Sequence, residues 1–375
     1  MFTSISSAVS SAYSNFSSFN KSLPPRRHII FLVRKTRTMS FEYLEIKDSV
    51  YKTTCEQRNE EGYILVEPKD YNQIPVTLPH WKPEPCCLNE RFKNLADRIK
   101  HMNVRADDVW LVTYPKSGTT WCQEMIWLIC NDLDYESADN LQLDERFPFM
   151  EINGLRDLLS GRDYYQTVLS MKSPRFIKTH LPVGFLPDQI WCEKPKLIYV
   201  KRNPKAVAVS YYHHSVSLHG YKGTLDQFVL SMLNELQYYS PYHRHVLEYN
   251  NLEYGGAMLH LCFEDMKKDL TGTLKQVCQF FNKLYSDQQL AKLAQHLSFE
   301  SMKHNPTVNR QSYVEHLLKI TDRDDKINDA NYQFMRRGES TGWKNELSTE
   351  LSQRIDRWTE QNVGDPKQRE LFRCE

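Results

Sequence analysis

The chain has 375 residues, 40% of them hydrophobic and 25% charged, which is typical of a globular protein with one large or two modest domains. Its 48 Lys and Arg residues nearly equal its 47 Asp and Glu residues. This balance excludes a general basic surface, so no nucleic-acid partner is predicted, and it means that any anion site must be local. The sequence also has no run of about 20 apolar residues, so no membrane partner is predicted.

Residues 1–40 differ in composition from the rest of the chain. They are rich in Ser and basic residues, and the first acidic residue is Glu42. We expect this extension to be disordered and residues 41–375 to form the folded domain. The basic, acid-free composition also resembles that of an organelle transit peptide. A mitochondrial location is therefore the alternative to a cytoplasmic protein with an untargeted tail.

The nine cysteines are scattered and form no CxxC pair. An odd count without metal-ligand spacing favours reduced thiols in the cytoplasm over a disulfide framework. We interpret the one adjacent pair, Cys86 and Cys87, as a chance surface feature rather than a redox site.

From Phe41 onward, short apolar runs alternate with helical patterns. The predicted strands are Val109–Tyr114, Arg175–His180, Lys196–Lys201 and Ala257–Phe263. The predicted helices are Trp121–Cys130, Lys205–His214, Leu225–Tyr239 with Thr224 and Gln227 as a capping box, and Leu270–Leu284. This alternation predicts a single doubly wound α/β domain with a mainly parallel central sheet. Ligands of such folds bind at the carboxyl ends of the strands.

A phosphate loop is predicted where the first of these strands meets the first helix. A helix N-terminus attracts anions, Lys116 adds a full positive charge, and Gly118 permits close approach of the backbone. The hydroxyl groups of the loop belong to Ser117, Thr119 and Thr120. Because Lys116 precedes the single Gly, the loop does not match the Walker A pattern, and an ATP-dependent kinase is disfavoured.

The next two strands end in residues that suit the same kind of ligand. Lys178 and His180 end the second strand, where a His is well placed to act as a general base. Arg202 follows the third strand and can bind a phosphate through two N–H groups. Asn203 fits a helix N-cap and Pro204 fits the first helical position. Two separate anion sites imply a ligand with phosphate at both ends.

A third basic element is Arg336-Arg337-Gly338, which follows the polar stretch from Thr321 to Asn331. By itself it could be a solvated loop. Together with the two anion sites, it favours a lid that closes on a phosphate.

The chain resembles the cytosolic sulfotransferases that use 3′-phosphoadenosine 5′-phosphosulfate in four segments, which are YPKSGTTW, KTHLP, RNPKAVAVSYYHH and FMRRGESTGWK. The resemblance covers about residues 60–360. It implies a P-loop-like sulfotransferase fold and an enzyme with this nucleotide as co-substrate and no metal ion.

The resemblance also implies a role for each matching residue. The loop for the 5′-phosphosulfate is Lys116, Ser117, Gly118, Thr119 and Thr120, with Trp121 and Phe263 near the adenine. The 3′-phosphate ligands are Arg202 and Ser210, joined by Arg336, Arg337 and Gly338 of the lid. Ser298 and Phe299 match further nucleotide contacts. The catalytic pair is Lys178 and His180, and the acceptor contacts are Phe147 and Phe149.

The chain departs from the usual family pattern at several positions. Phe263 replaces a Tyr and Leu297 replaces a Thr, and each lost hydrogen bond to the nucleotide would cost about 1 kcal/mol. Arg337 replaces a common Lys and keeps its charge. Residues 344–349 lack the usual dimer motif, so we expect a monomer or a weak homodimer.

The mechanism that the resemblance implies is an in-line displacement at sulfur. His180 takes the proton of the acceptor, Lys116 stabilises the leaving oxygen, Lys178 holds the sulfuryl group, and Ser210 steers Lys116. The expected acceptor is a small phenol, steroid, alcohol or amine. Candidate residues for its pocket, besides the two Phe residues, are His214, Tyr164, Tyr165, Tyr238 and Tyr239. The alternatives are a kinase and a nucleotide-binding protein without catalytic activity.

Overall fold

The structure, a computed structural model, describes residues 40–46, 62–156, 161–320, 323–326, 329 and 332–373. Nearly all of the predicted N-terminal extension and much of the polar stretch before the lid therefore lie outside the described residues, and so do Cys55 and Cys374.

The described strands form two sheets. The strands are β1 (Phe41–Glu45), β2 (Tyr63–Pro68), β3 (Cys86–Asn89), β4 (Val109–Thr113), β5 (Phe176–Thr179), β6 (Lys196–Lys201) and β7 (Met258–Cys262). The central sheet has the order β5-β4-β6-β7, and each of its strand pairs is parallel. This arrangement confirms the predicted parallel sheet. Each of the four predicted strands is present and differs from its prediction by at most one residue at either end.

Helices cover both faces of the central sheet. Every residue of β4 is buried, and alternate residues point to opposite faces. Trp110 and Val112 pack into one hydrophobic core, whereas Val109 and Leu111 pack into another. Burial on both sides explains why this strand is apolar throughout.

Among the described residues, the helices in chain order are α1 (Ala96–Lys100), α2 (Thr119–Cys130), α3 (Tyr135–Asn140), α4 (Leu143–Arg146), α5 (Tyr164–Ser170), α6 (Ile190–Glu193), α7 (Pro204–His219), α8 (Leu225–Leu233), α9 (Tyr242–Asn250), α10 (Phe263–Lys268), α11 (Leu270–Phe280), α12 (Asp287–His296), α13 (Phe299–His304), α14 (Gln311–Ile320), α15 (Thr349–Asn362) and α16 (Pro366–Arg369). Nowhere in these ranges does a helix combine the length and apolar character needed to cross a bilayer.

The predicted starts of two helices are confirmed. The Asn203 side chain accepts from the Lys205 N–H at the start of α7, and Pro204 is the first helical residue. Thr224 and Gln227 form the predicted capping box of α8. These starts depend on short-range hydrogen bonds, which neighbouring residues specify directly.

Three predicted helix ends are wrong. α7 continues past His214 to His219, where Gly220 takes the left-handed conformation with φ 65°. α8 stops at Leu233 instead of reaching Tyr239, and Tyr239 itself has φ 71°, which a right-handed helix cannot contain. The last predicted helix, α11, also ends earlier than expected. The residues after α8 form a turn that brings Tyr239 next to the sheet.

The antiparallel sheet β1-β2-β3 is not foreseen by the sequence patterns. It also corrects the interpretation of Cys86 and Cys87 as a surface pair, since both are fully buried in β3. Burial raises the pKa of the Cys86 thiol well above its usual range. These cysteines are core side chains.

Candidate active site

A cavity opens at the carboxyl ends of β4, β5 and β6, which is where a doubly wound sheet binds its ligands. The turn after β4 contributes Lys116, the end of β5 contributes Lys178 and His180, and the turn after β6 contributes Arg202. The fold therefore brings together three segments that lie far apart in the sequence.

The turn after β4 is built to receive an anion. Gly118 takes the left-handed conformation with φ 98° at the N-cap of α2, and no acidic residue occupies the first turn of that helix. Lys116, a non-glycine residue, also has a positive φ of 69°. The Ser117 hydroxyl is buried and has no hydrogen-bond partner among the described residues. Free N–H groups at the helix start, together with an unpaired hydroxyl, fit a phosphate or sulfate oxygen.

The Lys116 side chain points into the cavity. Its Nζ lies 3.3 Å from Nδ1 of His214 and 5.0 Å from the centre of the Phe334 ring. Burial, and then the nearby charge of Arg202, lower the pKa of Lys116 to about 7. An anionic ligand would raise this pKa again, because it favours the charged ammonium group.

Arg202 connects this turn to the lid. Its guanidinium donates to the carbonyl oxygens of Lys116 and Glu339, at 2.9 Å each, while its Nε is buried with no partner in the described part of the chain. Burial lowers its pKa to about 10, so the group stays charged at neutral pH. The unpaired N–H is available to a ligand phosphate.

Aromatic side chains form the wall beside Arg202. The Phe263 ring centre lies 4.1 Å from the Arg202 guanidinium carbon and 5.7 Å from the Trp121 ring centre. A Cβ atom at Gly118 would come within 2.7 Å of the Phe263 ring. A larger residue at position 118 would therefore collide with this ring.

The end of β5 carries a neutral imidazole. His180 Nδ1 lies 2.7 Å from the carbonyl oxygen of Thr113, so the proton is on Nδ1 and Nε2 is free to accept one. Burial and the charge of Lys178 hold the pKa of His180 well below its usual range. Lys178 Nζ lies 4.2 Å from the Phe149 ring centre, and burial lowers its pKa to about 7.

Glu151, which sequence reasoning missed, holds the backbone at His180. Its carboxylate accepts from the His180 N–H at 2.7 Å, the Thr179 hydroxyl at 3.0 Å and the Tyr239 hydroxyl at 3.2 Å. On the other side, His245 donates from Nε2 to the His180 carbonyl at 3.0 Å. These bonds fix the imidazole in the cavity wall.

The segment from Gln333 to Gly342 covers the cavity and includes the predicted lid. Arg336 and Arg337 both donate to Glu346, at 2.8 and 3.1 Å, and His213 contacts the same carboxylate at 2.5 Å. Gly338 has φ 64°, and a Cβ atom there would collide with Phe299. In this arrangement Arg336 and Arg337 are both paired with a carboxylate of the protein.

Most of the predicted site residues line this one cavity. These are Lys116, Gly118, Thr119, Thr120, Trp121, Phe149, Lys178, His180, Arg202, Ser210, Phe263, Phe299, Arg336, Arg337 and Gly338. Leu297, His214, Tyr238 and Tyr239 line it as well. Ser117, which also belongs to the loop, is fully buried and is not a lining residue.

Phe147 and Ser298 are not among the lining residues, and neither are Tyr164 and Tyr165. Phe147 directly follows α4 and is fully buried, with its ring centre 5.4 Å from that of Phe176, so in the structure it packs in the core and does not line the cavity where an acceptor contact is expected. The Ser298 hydroxyl accepts from the Ser301 N–H and caps α13. No group of three or more His, Cys, Asp or Glu side chains within the described ranges is arranged to hold a metal ion.

Comparison with known proteins identifies the family. The sulfotransferase domain matches residues 106–367. The chain is 37% identical over 294 residues to luciferin sulfotransferase of Photinus pyralis, covering 75% of this chain and 78% of that one. It is 31% identical to sulfotransferase 1E1 of Homo sapiens, covering 72% of this chain and 89% of that one.

Solved structures agree on the fold. Retinol dehydratase in a complex with retinol and PAP superposes with a TM-score of 0.74 at 24% identity, covering 87% of this chain and 97% of that one. A mouse sulfotransferase complexed with PAP superposes with a TM-score of 0.57 at 23% identity, covering 75% and 93%. The chain therefore belongs to the sulfotransferase family, which confirms the predicted enzyme class, a transferase dependent on 3′-phosphoadenosine 5′-phosphosulfate.

Proposed function

We propose that the protein transfers the sulfuryl group of 3′-phosphoadenosine 5′-phosphosulfate to the hydroxyl or amine of a small, hydrophobic or aromatic acceptor. The observation that carries this proposal is the single cavity in which an anion loop, a second anion site at Arg202 and the neutral His180 meet. A donor with phosphate at both ends matches two basic sites on separate strands.

The donor is proposed to bind with its phosphosulfate at the loop of Lys116 and its 3′-phosphate at Arg202. Support comes from the Ser117 hydroxyl and the Arg202 Nε, both buried without a partner among the described residues. Such groups are costly to bury alone and gain hydrogen bonds when an anion arrives. Trp121 and Phe263 supply flat apolar surfaces for the adenine.

His180 is proposed to act as the general base. Its Nε2 accepts the proton of the acceptor while the acceptor oxygen forms a bond to sulfur and the bond from sulfur to the phosphate oxygen breaks. The products are a sulfate ester and 3′-phosphoadenosine 5′-phosphate. The hydrogen bond from Nδ1 to Thr113 supports this role, because it leaves Nε2 unprotonated.

The two lysines are proposed to stabilise charge during the transfer. Lys116 stabilises the leaving phosphate oxygen, and Lys178 holds the sulfuryl oxygens. In the structure, Lys116 Nζ lies within hydrogen-bond distance of His214, while Ser210 also lines the cavity. We propose that Lys116 leaves His214 when the donor binds, and that Ser210 then helps to steer it.

The test is incubation of the full chain with ³⁵S-labelled donor and a mixed panel of phenols, steroids, amines and alcohols. We expect label in an organic product whose mass increases by one sulfuryl group. A kinase would instead consume ATP with magnesium, and a catalytically silent protein would bind the donor without any labelled product. Either result would overturn the proposal.

A further inference from the structure

Arg156 is a cavity-lining cation whose guanidinium has no hydrogen-bond or ion-pair partner among the residues that the structure describes. Its guanidinium carbon lies 5.1 Å from the centre of the Tyr313 ring, and its Nε is buried without a hydrogen bond to any described residue. The other arginines of the described lining all have hydrogen-bonded partners. These are Arg202 with two carbonyl groups, Arg310 with Asp144, and Arg336 and Arg337 with Glu346.

Arg156 belongs to the acceptor end of the cavity. It follows the segment that begins at Phe149, whose ring centre lies 4.9 Å from that of His180. Arg156 lines the same cavity as Phe149, His180 and His214. Its charge also helps to lower the pKa of His214, after burial and the charges of Lys116 and His219. The lid and Arg202 lie at the donor end, where the nucleotide is proposed to bind.

Glu339 is the one acidic residue of the described cavity lining. It lies at the donor end, where its backbone carbonyl accepts a hydrogen bond from Arg202, so the described lining supplies no acidic partner for Arg156. A partly buried cation gains most from an anion that replaces its lost water, and guanidinium matches a planar carboxylate through two parallel hydrogen bonds. The Tyr313 ring, which also lines the cavity, supports the guanidinium from one side.

We propose that the preferred acceptor is an aromatic hydroxy acid, whose carboxylate binds Arg156 while its hydroxyl lies at His180. The proposal rests on the proposed sulfuryl transfer and names the class of its acceptor. Arg156 is then a specificity-determining residue that binds the non-reacting end of the substrate.

The test compares each acid with its own primary amide, which has the same shape without the charge. The scaffolds are 6-hydroxy-2-naphthoic acid and 4′-hydroxybiphenyl-4-carboxylic acid, which differ in the distance between hydroxyl and carboxylate. We expect the wild-type protein to favour at least one acid over its amide by about 10- to 100-fold in kcat/KM, mainly through KM. Arg156→Gln should reduce that ratio to near one, and Arg156→Lys should keep part of it.

Arg162→Gln is the matched control, because Arg162 pairs with Glu145 and is not a lining residue. Its acid-to-amide ratio should equal the wild-type ratio. The proposal is overturned if the wild type favours neither acid, or if Arg156→Gln lowers turnover of acid and amide equally, as a purely structural role would.

Sulfation of 2-naphthol separates this proposal from the proposed function. If neither the wild type nor any variant sulfates 2-naphthol or another acceptor, the proposed sulfuryl transfer is overturned. Acid recognition is then decided by calorimetry of each acid and amide with the complex of protein and 3′-phosphoadenosine 5′-phosphate. Tighter binding of an acid that depends on Arg156 supports the proposal, and equal binding overturns it.

Discussion

The proposed donor end and the proposed acceptor end of the cavity are built in different ways. The donor end consists of two short turns, each of which carries its own cation and opens a helix, at Lys116 and at Arg202. The acceptor end is assembled from distant segments that include Phe149, His214 and Tyr239. The donor end thus follows from local sequence, whereas the acceptor end depends on tertiary packing.

This difference implies that substitutions at the donor end should weaken nucleotide binding, whereas substitutions at the acceptor end should leave it unchanged. The largest expected effect on turnover is that of substituting His180. His180→Ala should lower kcat by about 10²- to 10⁴-fold, because it removes the proposed general base. Binding of 3′-phosphoadenosine 5′-phosphate, measured by calorimetry, should stay close to the wild-type value. The exposed His316 is the control, and His316→Ala should change neither quantity. If His180→Ala keeps near wild-type turnover with both substrates bound, His180 is not the general base.

Lys116 tests the donor end. Lys116→Ala should lower kcat by about 10²- to 10³-fold, because one charged group at the leaving oxygen is lost. Unlike the His180 variant, it should also weaken binding of the nucleotide product by about tenfold or more, as expected for a lost charged hydrogen bond. The matched control is Lys292→Ala, since Lys292 is an exposed residue of α12. A loss of kcat with unchanged nucleotide affinity would show that Lys116 does not hold the donor.

A substitution of Glu151 tests whether this residue is as deeply buried at the acceptor end as its contacts with His180 indicate. Burial raises its pKa to about 7 in the folded protein, above the ordinary value of 4.5, so folding favours its protonated form. This contribution to stability is present below pH 4.5 and is lost as the pH rises through 7. Between about pH 5 and pH 8, Glu151→Gln should therefore gain stability relative to wild type, by on the order of 3 kcal/mol.

Urea unfolding at the two pH values measures this difference. Glu350 is an exposed residue of α15, so Glu350→Gln is the control and should show the same pH dependence as wild type. A parallel pH dependence of the Glu151 variant and the wild type would mean that Glu151 does not titrate in this range.

The same contrast explains what the sequence could predict. The two strand-turn-helix segments were predictable because charge, glycine and helix start lie within a few neighbouring residues, as at Lys116, Gly118 and Pro204. Glu151 was not predictable, since its hydrogen bond to His180 joins residues 29 positions apart across the edge of β5. The fold shows the same difference. The parallel strands were recognised from local sequence patterns, whereas the β1-β2-β3 sheet was not recognised.

The erroneous assignments also have a physical cause. Cys86 and Cys87 were interpreted as a surface feature because no strand was predicted there, yet they lie on β3 and packing covers both faces of that strand. Phe147 and Phe149 look equivalent in sequence. Phe149 pairs with β5 next to Lys178, while Phe147 turns into the core. Burial depends on neighbours that only the tertiary structure supplies.

The pH dependence of nucleotide binding gives a smaller test of the donor end. Because burial lowers the pKa of Lys116 to about 7, the free protein loses this charge as the pH rises above 7. Binding of an anion must then restore the proton, so affinity should fall with rising pH, by at most about tenfold per pH unit for this lysine. Calorimetry at about pH 7.5 and 8.5, in buffers of different ionisation enthalpy, should detect proton uptake, and Lys116→Ala should reduce it. Equal affinity at both pH values would contradict the prediction.

The smallest expected effect concerns the lid. Glu346 is 16% exposed and holds both Arg336 and Arg337, which the donor must compete for if these arginines bind its 3′-phosphate. Glu346→Gln removes this competing charge and keeps the size of the side chain. Since partly exposed ion pairs contribute about 1 kcal/mol or less, affinity for 3′-phosphoadenosine 5′-phosphate should increase about two- to fivefold. Adenosine 5′-phosphate, which lacks the 3′-phosphate, should bind the variant and the wild type equally. An equal gain for both nucleotides would mean that the lid arginines do not bind the 3′-phosphate.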